Sequence, residues 1–438
     1  MLELIGGFDP NVYTEISPGV RSIGHRSRQW PLVHGETRGH QFTLTDLTVH
    51  ASNGLGTDVS TQDLNVTRVF DGIWLDEPDE QAFTTVRVEL DYLLAWSGLS
   101  AMEYTVALNG GVRERWSSAK VQLKDSLEAH WGDLKFTVDL SYSPFIAKAG
   151  DPNSQTLAST QTAYLEIESP TPLRPSEWDE HVGTFQNLLT LSCNYPCAIR
   201  RFRLGWTPTP GAAMHYPTSI GRYIYPADQG EFRERHSRQF FYLTESNVGF
   251  AELVPAWFEL WKVIREPAIL VFSLFYSEEG YLNAQLLTMC GALEAVHKKL
   301  FNRMAELPED FDAFMADLVT GVDPARHDSV RSRIQNQPSY AARIRELTTK
   351  ADAEAVTRLL PTINTWVKQV ARSRNSMAHA SLGPSSLELQ YFLLLVSRTL
   401  CLLIFAEELG ISAERQRAFV ASHDVVQWSL NLKQALGD

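Results

Sequence analysis

The feature that most constrains this chain is a change in hydrophobic period near residue 250. Before it, short segments alternate apolar and polar residues, as in Gln41-Phe42-Thr43-Leu44-Thr45-Asp46-Leu47-Thr48-Val49, Thr85 to Leu90, Lys135 to Leu140 and Ala163 to Ile167. A period of two puts every second side chain on one face of a pleated strand, so these segments read as half-buried strands. From Val254 onward the apolar residues recur at helical spacing instead, beginning with Trp257, Leu260, Trp261 and Ile264. At 438 residues the chain also exceeds what one ordinary core holds. The expectation is therefore a multidomain α+β protein: an all-β, sandwich-like domain over residues 1–250 and an all-α helical bundle over residues 251–438.

Local signals refine both halves. Asn109-Gly110-Gly111 reads as a hairpin turn, and Ala147 to Thr162, rich in small and polar residues, as a long loop. Seven of the eleven tryptophans lie in the first half, where strand aromatics fill a core more readily than they line a recognition surface. In the second half, helices are expected over Val254 to Arg265 (ended by Glu266-Pro267), Ala268 to Tyr276, Gly280 to Met304, Asp310 to Leu318 and Tyr340 to Thr348. Asp352 to His379 reads as a long helix bent at Pro361 and stopped by Gly383-Pro384, followed by Ser386 to Leu409 and Gln416 to Leu436.

Composition excludes several classes. With 44% hydrophobic and 21% charged residues the chain is that of a folded, soluble protein. It has no run of 18 or more apolar residues, and Met1-Leu2-Glu3-Leu4-Ile5 lacks both a basic lead and a signal-peptide core, so no membrane partner and a cytoplasmic location are expected. Four cysteines do not make a disulfide framework. Cys290 and Cys401 read as core. Cys193-Asn-Tyr-Pro-Cys197 could open a zinc site, but no second Cys/His pair follows at a suitable distance, and buried strand-end thiols are the simpler reading. A phosphate-cradling glycine loop, a Gly-x-Ser-x-Gly elbow and a His-Glu-x-x-His helix are all missing, so neither cofactor nor metal is expected.

The net charge of −13 disfavours nucleic-acid binding by the whole surface. The acidity is uneven. Val254 to the end carries 19 Lys and Arg against 21 Asp and Glu, whereas Met1 to Leu253 carries 20 against 31. Between Arg326 and Arg374, ten basic residues meet only four acids, which is where an RNA-facing patch would be expected.

That basic stretch ends in Arg374-Asn375-Ser376-Met377-Ala378-His379. His379 can move protons near neutral pH, and Arg374 can grip a phosphate through two parallel hydrogen bonds. Asn375, one turn before His379, is placed to orient the imidazole or to contact a ribose hydroxyl. A basic residue and a histidine that merely complement a helix C-terminus are the bland alternative.

The motif resembles the Arg-x4-6-His signature of HEPN ribonucleases. Joined to the β-rich first half, to Ala292-Leu293-Glu294-Ala295-Val296-His297, and to Leu32-Val33-His34-Gly35-Glu36-Thr37 and Leu93-Leu94-Ala95-Trp96-Ser97-Gly98-Leu99, it makes the chain resemble ApeA-type anti-phage proteins. Those link an ApeA N-terminal β domain to a C-terminal HEPN domain. The resemblance implies metal-independent RNA cleavage that leaves a 2′,3′-cyclic phosphate; it does not name the RNA, and structured RNA such as tRNA is the expectation because single-stranded loops offer free 2′-hydroxyls. His379 would act as general acid or base, Arg374 would stabilise phosphoryl charge, and Asn375 would hold the ribose or the ring. It also implies a homodimer through the HEPN helices and a first half that senses a phage-encoded trigger or silences the nuclease. Arg374 and His379 lie about 140° apart around an ideal helix, so either the helix loosens before Gly383 or a partner subunit completes the site. Glu294 is a supporting candidate as a partner for Arg374, unless it and His297 face solvent beside Lys298 and Lys299. Arg372 either adds phosphate affinity or is simply solvated. The rival reading is a non-catalytic, HEPN-like dimerising module with a ligand-binding β domain.

Overall fold

The alternating segments of the first half pair into antiparallel sheet. The computed structural model describes residues 2–5, 11–17, 20–25, 29–37, 40–53, 61–108, 115–122, 125–143, 146–149, 155–206, 218–221, 239–277, 280–301, 310–332, 334, 336–360, 362–378 and 386–437. Its strands are β1 (Leu2–Ile5), β2 (Asn11–Ser17), β3 (Val20–His25), β4 (Gln29–Thr37), β5 (His40–Asn53), β6 (Thr61–Asn65), β7 (Arg68–Asp71), β8 (Phe83–Leu90) and β9 (Met102–Leu108). They continue as β10 (Arg115–Val121), β11 (Leu127–Trp131), β12 (Leu134–Tyr142), β13 (Ile146–Ala149), β14 (Gln155–Ala158), β15 (Gln161–Leu173), β16 (Ile199–Gly205) and β17 (Thr218–Gly221). Eleven form one sheet in the order β1-β6-β5-β7-β17-β16-β8-β15-β12-β11, with β4 also paired to β5. The other six make the two-stranded ladders β2–β3, β9–β10 and β13–β14.

Packing divides the chain into two units. The first comprises Met1–Ala95, Leu99–Gln186 and Ala198–Pro226; the second comprises Trp96–Gly98, Asn187–Cys197 and Ala227–Asp438. In the first unit Val86, Val88, Phe136, Val138, Leu165, Ile167, Phe202 and Leu204 are fully buried from four neighbouring strands, one per two residues along each. The intervening positions carry ion pairs, including Arg87 with Glu166 and Arg201 with Glu89. The Arg87 guanidinium also lies 4.3 Å over the Tyr164 ring. Burial, joined by the hydrogen bond to Asp139, pushes the Tyr164 hydroxyl up to about 12.

Two expectations for this half need correction. Ala147 to Thr162 is not one long loop: β13 and β14 pair within it, Ile146 opposite Ala158, and β15 begins at Gln161. The strand reading also passes over a helix, Pro175–Cys193. Its signal is present, because Pro175 suits a first helical position, and Trp178, Val182, Phe185 and Leu189 recur at helical spacing. Trp178 is fully buried and its Nε1 donates to the Phe83 carbonyl at 3.1 Å. Cys193 is accordingly a helix-end rather than a strand-end residue. Cys193, Cys197, Cys290 and Cys401 are all buried and free of disulfides. Among the described residues no group of three or more His, Cys, Asp or Glu is arranged to hold a metal ion. Residues 109–114, which include the Asn-Gly-Gly signal, lie outside the described residues, and β9 and β10 on either side pair antiparallel.

Twelve α-helices are described: α1 (Leu93–Ser97), α2 (Pro175–Cys193), α3 (Phe250–Tyr276), α4 (Leu282–Leu300), α5 (Phe311–Thr320), α6 (His327–Arg331), α7 (Tyr340–Leu347), α8 (Ala353–Leu359), α9 (Ile363–Ala378), α10 (Leu387–Glu408), α11 (Ala413–Val420) and α12 (His423–Leu436). Pro267 does not end a helix, as its residue type led us to expect; α3 runs through both Pro255 and Pro267. Burial of Trp257, Trp261, Ile264, Ala268, Val271 and Phe272 on one face outweighs the lost backbone hydrogen bond. Asp352 to His379 shows the opposite outcome. It is two helices rather than one bent helix, since α8 ends at Leu359 and Leu360 has φ −125° and ψ 74°, outside the helical region. A residue before proline is pushed out of that region by the proline ring. Asp352 caps α8, accepting from the Ala355 N–H at 2.9 Å, and pairs with Arg417 on α11 at 2.8 Å. The Arg417 hydrogen bond holds its carboxyl down at about 2.

Helix α10 is long and apolar enough to span a membrane by length and composition, but 78% of its most apolar stretch is buried inside the protein. It serves as the core helix of the second unit, against α3, α4 and α12. Phe240, outside the helices, stacks on Phe419 of α11 with ring centroids 4.2 Å apart.

Gly98 shows why a glycine ends the Leu93-to-Leu99 motif. Its φ is +67°, and a Cβ there would sit 2.2 Å from Thr244 Cγ2. Gly98→Ala is expected to cost about 1–3 kcal/mol from left-handed strain plus the clash, read as a lower melting temperature. An unchanged melting temperature would sink this account.

Candidate active site

Helix α9 carries Arg374 and Asn375 near its end and turns its apolar stripe to the core. Trp366, Val370 and Ser373 are buried at positions i, i+4 and i+7, and Trp366 Nε1 donates to Ser397 Oγ at 3.3 Å. Lys368, Arg372 and Asn375 occupy the exposed face of the same helix. Arg374 falls at the rim between the two, with 38% of its side chain exposed. His379 follows Ala378 in the sequence and lies outside the described residues.

Three helices meet around Arg374. Helix α4 buries Leu286, Met289, Cys290, Leu293, Val296 and His297, which leaves Glu294 at the edge of its stripe. The Glu294 carboxylate accepts from Arg374 Nη2 through Oε2 at 3.2 Å. Its other oxygen accepts from Arg343 Nη1 on α7 at 2.8 Å and pairs with Lys298 at 2.9 Å. Burial pushes the Glu294 carboxyl up, but the Lys298 hydrogen bond and the charges of Lys298, Arg374 and Arg343 outweigh it and hold the group below the usual range. The structure thus brings Glu294 and Arg374 together. His297, by contrast, does not face solvent. It is 1% exposed, its Nε2 lies 3.0 Å from Glu346 on α7, and its ring stacks on Phe301.

Two residues at this site escaped the sequence reading. Tyr340, the first residue of α7, lies with its ring 4.7 Å from Arg374 Cζ, and its hydroxyl donates to the Cys290 carbonyl at 3.1 Å. Arg343, with 8% of its side chain exposed, also donates to Gln337 Oε1 at 2.9 Å. Tyr340 and Arg343 sit three apart and share one face of α7. A buried arginine in a short helix was the available signal, but nothing in the spacing tied it to Glu294, 49 positions away.

The basic stretch from Arg326 to Arg374 is partly self-neutralised. Arg343 is spent on Glu294, Lys350 pairs with Glu408, and Arg358 pairs with Glu354. Arg333 lies outside the described residues. What faces solvent beside Arg374 is the α9 stripe of Lys368 and Arg372.

This combination of a β-sheet unit and a helical unit carrying Arg374 against Glu294 agrees with two family models. Residues 1–257 match the model of ApeA N-terminal domain 1, and residues 287–415 match that of the Apea-like HEPN domain. The chain belongs to the ApeA family. Neither the curated proteins nor the solved structures yielded a match. As an ApeA-family member it is an HEPN-containing protein of anti-phage defence. HEPN domains are generally ribonucleases, and they commonly dimerise and bind RNA. Glu294, Tyr340, Arg343 and Arg374 all fall inside the HEPN match.

Proposed function

We propose that this ApeA-family chain is a metal-independent endoribonuclease that cleaves RNA once a phage product triggers it. The observation that carries the reading is the setting of Arg374: a permanent cation, restrained by Glu294, yet open enough to meet a phosphate. In the reaction, the ribose 2′-oxygen attacks the adjacent phosphorus and the bond from phosphorus to the 5′-oxygen breaks. The 2′-hydroxyl proton leaves to a base and the departing 5′-oxygen gains one, giving a 2′,3′-cyclic phosphate and a 5′-hydroxyl. Arg374 offsets the charge that grows on the phosphoryl oxygens, and His379, five residues on, transfers one of the protons. Asn375, Lys368 and Arg372 are exposed on α9, and in this reading they meet ribose and flanking phosphates.

The chain acts in the cytoplasm as a homodimer through its HEPN helices, with single-stranded loops of structured RNA such as tRNA as the favoured substrate, because they offer free 2′-hydroxyls in a flexible backbone. The β unit is the place for the trigger. The test is incubation of the purified chain with total cellular RNA in EDTA, alone and in extract of phage-infected cells, followed by end-group analysis. Discrete cuts ending in 2′,3′-cyclic phosphate are expected, with His379→Ala protein as the blank. Intact RNA in both conditions would move the assignment to the non-catalytic binding module.

A further inference from the structure

We infer that Tyr340 is a positioning residue for Arg374, its ring forming the surface on which the guanidinium is laid. This rests on the ribonuclease reading above. A single ion pair leaves a guanidinium free to swing about the line joining it to the carboxylate, and with it the direction of its N–H groups. The contact with Glu294 Oε2 is such a pair, at 3.2 Å. The Tyr340 ring, 4.7 Å from Arg374 Cζ, supplies a plane and removes that swing. Tyr340 starts α7, which packs on α4, and its hydroxyl adds one hydrogen bond to the Cys290 carbonyl on α4, one turn before Glu294.

Helix α7 supplies the other restraint as well. Arg343, one turn after Tyr340, occupies Glu294 Oε1, and Oε2 is the oxygen that meets Arg374. The pairing of His297 with Glu346 ties the same helix to α4 a second time. Tyr340 therefore acts through Arg374 and need not touch RNA.

The experiment uses the full chain and an oligoribonucleotide spanning the strongest cut mapped in total RNA. Tyr340→Leu is expected to lower kcat about 10- to 100-fold while KM stays within about 2-fold, because misdirected N–H groups fail chiefly in the transition state. Tyr340→Phe keeps the ring and is expected to retain kcat within about 3-fold. In an Arg374→Lys chain, whose ammonium has no planar face, Tyr340→Leu is expected to change kcat no further. Unaltered kcat in Tyr340→Leu would overturn the assignment. So would an equal drop in the Arg374→Lys background, or a loss that tracks the fraction unfolded at the assay temperature, since each marks general packing. If the unaltered chain cuts no RNA, infected-cell extract included, the ribonuclease reading itself falls and this role falls with it.

Discussion

Arg374→Ala and His379→Ala are each expected to reduce RNA cleavage about 100- to 1,000-fold while leaving the chain folded. For Arg374 the folded-state argument rests on its neighbours. Its side chain is 38% exposed, so truncation opens no core cavity. Glu294 keeps Arg343 and Lys298 as partners, so no carboxylate is orphaned. The loss is therefore one of transition-state charge stabilisation, visible as a fall in kcat with the melting temperature held. Arg374→Lys is expected to fall between, since it keeps the charge and loses the planar fork. The measurement is initial cleavage rate beside thermal unfolding on the same preparations. Near-normal cleavage by Arg374→Ala would remove Arg374 from the chemistry.

Glu294→Leu is expected to have the largest effect on stability. Arg343 has 8% of its side chain exposed, and without Glu294 its one remaining hydrogen-bond acceptor among the described residues is Gln337. Leaving a buried charge uncompensated costs about 3–5 kcal/mol, which lowers the melting temperature by on the order of 10 °C. Removing both charges, as in Glu294→Leu with Arg343→Leu, is expected to recover much of that loss, because two apolar side chains leave no unpaired ion. A double variant as unstable as the single would refute the account. The pH dependence follows from the sign of the shift. The folded Glu294 carboxyl lies below its ordinary value of 4.5, so its contribution is fully present above that value and is lost as pH falls through the lower folded value. The Glu294→Leu chain is expected to lack that component of acid destabilisation in unfolding curves taken between neutral pH and about pH 3.

The order in which these residues became legible reflects the range of the forces involved. The strands at Gln41 to Val49, Thr85 to Leu90, Lys135 to Leu140 and Ala163 to Ile167 were readable because a sheet buried on one face writes its period directly into the chain. So were α4 and α10, whose stripes bury into one core. Proline by itself does not decide where a helix ends. Pro267 sits inside α3, while α8 stops at Leu359, two residues before Pro361. Local propensity is nearly the same at the two sites, and the aromatic core on α3 decides the first.

What the sequence determined by itself was the division into β and helical parts and the placement of Arg374 and Asn375 near the end of an amphipathic helix. Hydrophobic period and short motifs are local, and local pattern is what a single chain exposes to reading. Only the tertiary structure decided what holds Arg374. Glu294 is 80 positions away and could be nominated as an isolated carboxylate in an apolar stretch, but its shared use by Arg343, Lys298 and Arg374 could not. Tyr340 and the pairing of buried His297 with Glu346 were invisible for the same reason. Ion pairs and ring contacts between helices depend on which faces meet, and that is set by packing of the whole unit rather than by the spacing of any one segment.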